Sequence, residues 1–164
     1  MAYLKKTERH NEILKAAMQI IVQEGIASIT ARRIAKEANI AVGQNHHHFK
    51  SIGQLKAQAL IKVSDELVAQ AEYPETDGSL INKIIHLVSP IDGKKGLAIR
   101  KLWNEATFLA ERDPDIKQAS QQSTEEWHKA LVRLLEEAIA TKEIPDNDAS
   151  ILAWRLIAFS CGVY

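Results

Sequence analysis

Residues 29–55 read ITARRIAKEANIAVGQNHHHFKSIGQL, and this stretch decides the fold. Thr30 suits a helix N-cap, because its hydroxyl can accept one of the backbone N–H groups that a first helical turn leaves unpaired. The residues that follow, ARRIAKEA, put Ile34, Ala35 and Ala38 on one inward side. Asn39 stands where that helix should stop, and asparagine tolerates the left-handed backbone. A brief connection leads to VGQNHHHF, about two helical turns long. Ser51 and Gln54 then form a capping box that opens another helix.

Upstream, Ile13, Leu14, Ala17, Ile20 and Ile21 recur at helical spacing between Glu8 and Glu24, and Gly25 is a C-terminal stop. Downstream, Leu55, Ala59, Leu60, Val63 and Leu67 mark a long helix from about Ile52 to Ala71. The stretch YPETDGS, residues 73–79, breaks the chain. A helix resumes at Leu80 and ends near Pro90, and after the turn-prone IDGKKG another apolar pattern starts at Leu97. Asp113-Pro114 restarts a helix, since aspartate caps and proline suits the first helical position. Trp127, Leu131, Leu134, Leu135 and Ala138 form the next stripe, and Pro145-Asp146 closes it. Ala149 to Tyr164 is apolar on most sides, as expected of a helix buried by something beyond its own domain. No strand pattern competes. The expected fold is all-α: an N-terminal three-helix helix-turn-helix domain over residues 1–52, and a C-terminal helical bundle for ligand binding and dimerisation over 53–164.

The 164 residues are 46% hydrophobic and 26% charged, a globular balance. The formal net charge of zero hides an asymmetry. Residues 1–62 carry 10 Lys and Arg against 4 Asp and Glu, leaving 11 against 17 for the remainder, so a basic module that can meet a polyanion precedes an acidic one. No apolar run reaches the roughly 20 residues that span a bilayer, and MAYLKKTERHNE lacks a signal-peptide core; a cytoplasmic protein without membrane partners is expected. The single cysteine, Cys161, cannot form an intramolecular disulfide. A nucleophile elbow, a phosphate-cradling glycine loop and an HExxH pair are all missing from the sequence, which argues against an enzyme and against a cofactor.

Two short helices joined by a tight turn, the second held by Phe49, lay a recognition helix in a major groove. Gln44 can pair bidentately with adenine and Arg32 with guanine, while His46, His47 and His48 can donate to phosphate. The stretch resembles the N-terminal signature of tetracycline-repressor (TetR) type regulators, with Gly25, Thr30, Ile34, Ala35, Ala38, Gly43, His48, Phe49, Ser51 and Leu55 in register over residues 8–62. The resemblance implies a DNA-binding set of Thr30, Arg32, Val42, Gly43, Gln44, His46, His47, His48 and Lys50. Within it Arg32, Val42, Gln44 and His47 approach bases, and His46 and His48 approach phosphate.

Asn39, Asn45, His46 and Ile52 depart from the family pattern, which has Gly, Leu, Tyr and Lys there. An amide at Asn45 turned into the small core without a partner would cost about 1–3 kcal/mol. Ile52 in place of a phosphate-binding lysine should make the salt dependence of DNA binding shallower by about one unit. The histidines offer compensation: imidazoles near phosphate gain charge, so tighter binding is expected at about pH 6 than at about pH 8.

Beyond residue 62 the similarity is to family architecture: FLAERDPDIKQA and LIAFSCGVY resemble a sixth-to-seventh-helix junction and an eighth helix. Relatives run on to a ninth helix and pair through the last two. Either that final helix is missing here or the dimer is built differently, and the apolar end at Tyr164 favours the first. The family implies a homodimer on a palindromic operator in double-stranded DNA, acting as a repressor released by a small-molecule effector. Trp103, Phe108, Trp127 and Trp154 are candidates for lining an effector cavity, although core packing explains each as well. No metal site is expected at His46–His48, because neighbours on a helix point about 100° apart. A helical protein–protein interaction module without DNA readout is the alternative reading.

Overall fold

Helix boundaries follow the local chemistry, and the caps are visible. In a computed structural model, residues 6–72, 78–88 and 93–162 are described, apart from the side chains of 45, 46, 71, 72, 93–95 and 162. They form α1 (Lys6–Glu24), α2 (Ala31–Glu37), α3 (Ile52–Glu72), α4 (Leu80–Val88), α5 (Gly93–Ala110), α6 (Pro114–Ala140) and α7 (Ala149–Gly162), with 3₁₀ segments at Ile26–Ser28 and Val42–His47. No strand occurs among the described residues, so the fold is all-α. The expected breaks near 73–77 and Pro90 lie outside the described residues.

Thr30 caps α2, its Oγ1 accepting from the Arg33 N–H at 3.1 Å. Asn39 has φ 52°, and the Ile40 N–H donates to the Ala35 carbonyl at 2.9 Å, which ends α2 in a Schellman turn. The Ser51 hydroxyl accepts from the Gln54 N–H at 3.0 Å, while Gln54 Oε1 reaches back to the Lys50 N–H at 2.8 Å, one residue before the position a standard capping box would use. Asp113 Oδ1 accepts from the N–H groups of Asp115 and Ile116 around Pro114, and Asp148 Oδ1 accepts from Ile151 N–H to open α7.

Two expectations are corrected. The helix expected from Leu97 begins at Gly93, so α5 takes up part of the glycine-containing turn. The recognition segment is a 3₁₀ helix, Val42–His47, and not two α-helical turns. Its composition explains why: glycine, asparagine and histidines favour α-helix weakly, and six residues pinned between a left-handed Asn39 and a buried Phe49 cannot propagate one.

The chain divides into two compact units, one of Met1–Val63 and Lys94–Gln121, the other of Ser64–Gly93 and Gln122–Tyr164. The sequence-based boundary at 52/53 therefore lies inside the first unit. That unit's fully buried side chains are mostly isoleucines, Ile13, Ile20, Ile21, Ile26, Ile29 and Ile34, with Leu55 and Leu60 from α3 and with Leu102 and Ile116 from the 94–121 stretch. The second unit centres on Leu80, Leu87, Leu131, Leu135, Ala153 and Ile157. There the Trp127 indole N–H donates to the Leu87 carbonyl at 3.0 Å and the Ser160 hydroxyl to that of Val88, closing off the C-terminal end of α4.

Replacing Thr30 by alanine strips α2 of its cap and should lower stability by about 1 kcal/mol. Urea unfolding of the two proteins at neutral pH measures this; a difference below a few tenths would show that the cap bond contributes nothing.

Candidate nucleic-acid interface

The first unit buries its isoleucines and turns the polar residues of α2 and the 3₁₀ segment outward. Thr30, Arg32, Val42, Gly43, Gln44, His47 and Lys50 are all exposed. Val42 leaves 48% of its surface in water although it is apolar and β-branched. A Cβ added at Gly43 would meet nothing within 4 Å, and its φ is not positive, so the fold itself does not demand glycine there. In a 3₁₀ helix residues three apart eclipse, which aligns Gln44 and His47 along one edge. The expectations for Asn45 and His46 concern side chains outside the described residues.

The two arginines of α2 differ sharply. Arg33 grips Glu24 through Nε and Nη2 and Glu37 through Nη1 at 2.7 Å, so its guanidinium is held above its ordinary range while Glu24 falls below the usual carboxylate range through the Arg33 hydrogen bonds. These groups are open to solvent, so the value of the pairs lies in fixing geometry more than in stability. Arg32 has no ion pair among the described residues and remains exposed.

His48 is the half-buried member of the set. The neighbouring Phe49 is 3% exposed and stacks on the His10 ring at 4.4 Å, and the His10 and His48 rings lie 6.4 Å apart. His48 Nδ1 is buried without a hydrogen-bond partner among the described residues. Burial pushes its pKa below the ordinary histidine value, and the nearby His10, Lys6, His47 and Arg9 push it the same way. A duplex phosphate would offset those cations.

Residues 13–59 match the family described as bacterial regulatory proteins, tetR family. The match extends over most of the chain in whole relatives: PksA, a helix-turn-helix transcriptional regulator of Bacillus subtilis, is 26% identical over 95% of this chain and 77% of its own length. The chain carries the N-terminal domain of the TetR family over residues 13–59. AcrR of Shigella flexneri is 24% identical over 84% of this chain and 67% of its own. A solved TetR-family regulator from Rhodococcus sp. superposes with a TM-score of 0.77 at 25% identity, covering 95% of this chain and 85% of that one. With that domain the chain is a DNA-binding transcriptional regulator, and no described helix is long and apolar enough to cross a membrane.

The aromatic candidates for an effector cavity are divided between the units. Trp103 and Phe108 belong to the first, Trp127 and Trp154 to the second. Phe108 is 59% exposed under the Arg112 guanidinium, and Trp154 is 47% exposed with its ring stacked on His128. A groove of about 410 Å³ in the first unit is lined by Ile21, Val22, Leu97, Lys101, Leu102 and Glu105, and by none of the four aromatics. Sequence reasoning missed the bracing of Arg33, for which the spacing from Arg33 to Glu37 was an available signal. It also missed Glu105, which accepts from the backbone N–H groups of Ile26 at 2.7 Å and Ala27 at 2.9 Å across nearly eighty residues.

Because the folded state lowers the pKa of His48, the unfolded chain binds the proton more readily. Neutral His48 supports the fold fully above its ordinary value of about 6.5, and that support is lost as the pH falls through the lower folded-state value. Between about pH 7.5 and about pH 5, His48→Leu should therefore lose less stability in urea unfolding than the wild type does. Parallel losses in the two proteins would exclude His48 as the responsible group.

Proposed function

We propose that this TetR-family regulator is a repressor that binds a palindromic operator as a homodimer and is released by a small-molecule effector. The observation that carries the base-reading part is the outward edge of the 3₁₀ segment, where Gln44 and His47 align, together with the exposed Arg32 of α2, which has no ion pair among the described residues. Arg32 and Gln44 have the donors and acceptors to read guanine and adenine edges, and Val42 offers an apolar contact for a thymine methyl. Gly43 keeps the backbone bare, so a duplex can approach it. Lys50, His46 and His48 serve the phosphates, and Thr30 joins them at the N-terminus of α2.

The second copy is supported by α7. Ala149, Ala153 and Ile157 face inward, while Ile151, Trp154 and Phe159 keep about half or more of their surfaces in water. Burying each such side chain against a partner contributes about 1.5–3 kcal/mol. A two-fold pair would hold its reading elements about 34–36 Å apart, which is one helical turn of DNA. An effector would act in the cytoplasm by favouring a wrongly spaced conformation by about 1–3 kcal/mol.

The reading is tested by selecting duplexes from a random-sequence pool with the full chain and measuring affinities for selected and scrambled duplexes at two salt concentrations. Arg32→Ala and Gln44→Ala should each cost about 1–3 kcal/mol on the selected duplex and little on the scrambled one. Lys50→Ala should weaken both alike and reduce the salt slope by about one. At constant salt the wild type should bind more tightly at about pH 6 than at about pH 8, because the phosphates stabilise the imidazolium. If Arg32→Ala and Gln44→Ala weaken all duplexes equally, both residues are backbone contacts and the base-reading assignment fails.

The dimer is tested separately. Trp154→Glu with Phe159→Glu should convert the protein to a monomer by light scattering while the helical signal is retained; an unchanged mass would place the dimer interface elsewhere.

A further inference from the structure

We infer that Glu105 is a positioning residue for DNA reading: its carboxylate, carried on α5, fixes the main-chain corner from which α2 and the 3₁₀ segment are aimed. The inference rests on the DNA-reading role proposed above and adds a residue that lies outside the helix-turn-helix motif.

The corner is the stretch between Glu24 and Thr30. The Ser28 and Ile29 N–H groups find acceptors within it, at the Gly25 and Ile26 carbonyls, but those of Ile26 and Ala27 stand at the open start of the 3₁₀ turn. Glu105 satisfies both, Oε2 accepting from Ile26 and Oε1 from Ala27. Two short bonds to consecutive amides orient the carboxylate and the peptide plane together, and such charge-assisted bonds are stronger than neutral ones.

Gly25 is shaped to the same contact. Its φ of 91° is one that side-chain-bearing residues rarely adopt, and a Cβ there would lie 2.5 Å from Glu105 Oε2. The glycine thus serves the turn and clears the carboxylate's approach. From this anchored corner the chain reaches the Thr30 cap within three residues, then Arg32, and then the Schellman turn that delivers Val42–His47.

The sign of the charge separates positioning from simple electrostatics. A carboxylate in the basic N-terminal unit repels a duplex, so its removal alone would tighten binding to every sequence. Positioning requires the opposite: weaker binding, confined to the duplex that is read. Glu105→Gln keeps the length but turns an amide NH2 toward one of the backbone donors. Glu105→Asp keeps the charge and withdraws the carboxylate by one methylene. Glu111→Gln removes an exposed carboxylate from the same unit and serves as the control.

The full-length variants are titrated with duplexes that the wild type selects from a random-sequence pool and with scrambled duplexes. Glu105→Gln and Glu105→Asp should bind the selected duplex roughly tenfold more weakly, with scrambled-duplex affinity and salt slope retained, and Glu111→Gln should show no loss of selectivity. Amide exchange of the wild type adds a readout that does not depend on any variant's folding: Ile26 and Ala27 should be protected, and in folded Glu105 variants that protection should fall. The inference is overturned if a folded Glu105 variant binds the selected duplex as tightly as the wild type, or if the wild-type Ile26 and Ala27 amides exchange freely. A wild type that selects no duplex defeats the DNA-reading proposal itself, which is a distinct result.

Discussion

Two adjacent backbone amides at the corner between α1 and α2 have no helical acceptor, and the carboxylate of Glu105 accepts from both. Much of the first unit is arranged so that this can happen. Gly25 supplies the backbone conformation and the clearance. Ile26, which opens the 3₁₀ turn, and Ile29, which follows it, are fully buried and hold the corner against the interior. Leu102 lies on the same helix as Glu105 and is itself fully buried, so the acid and an apolar anchor are carried on one rigid element. A polar group that must be satisfied and an apolar surface that must be hidden are thus served by the same pairing of chain segments.

The proposed reading surface is what remains when those demands have been met. Isoleucines take the inside of the first unit, Arg33 is consumed by Glu24 and Glu37, and Phe49 is locked under the His10 ring. Arg32, Gln44, His47 and Lys50 have no such inward role and stand in water. If these side chains meet base edges, the braced backbone spares main-chain entropy, while each long side chain still gives up its own rotamer freedom. The 3₁₀ winding sharpens the arrangement by stacking residues three apart, at some cost in hydrogen-bond geometry.

In the second unit the apolar demand is not fully met. The outer side of α7 keeps Ile151, Trp154 and Phe159 in water, whereas the inner stripe is closed over Leu131 and Leu135. A helix apolar on two sides is a burden on an isolated chain and a resource in a pair, since the same groups that favour aggregation also favour a specific two-fold contact.

The sequence by itself determined the all-α class, most helix boundaries and the family of the N-terminal domain. Those depend on signals that are local: Thr30, Asn39, Asp113-Pro114 and Asp148 act within four residues of themselves, and apolar spacing acts within a helix. The outward set Arg32, Gln44 and His47 was legible for the same reason, because motif register and helical pattern together say which residues cannot be core. Only the tertiary structure decided that the proposed reading element is wound as a 3₁₀ helix, that among the described residues Arg33 is ion-paired and Arg32 is not, that His48 is half-buried with a nitrogen those residues leave without a partner, and that residues 94–121 complete the first unit. Each of these depends on which distant groups compete for the same atom. The two amides of the corner show why: their need for an acceptor is written locally, but the acceptor comes from Glu105, and no periodicity or spacing in the chain links the two.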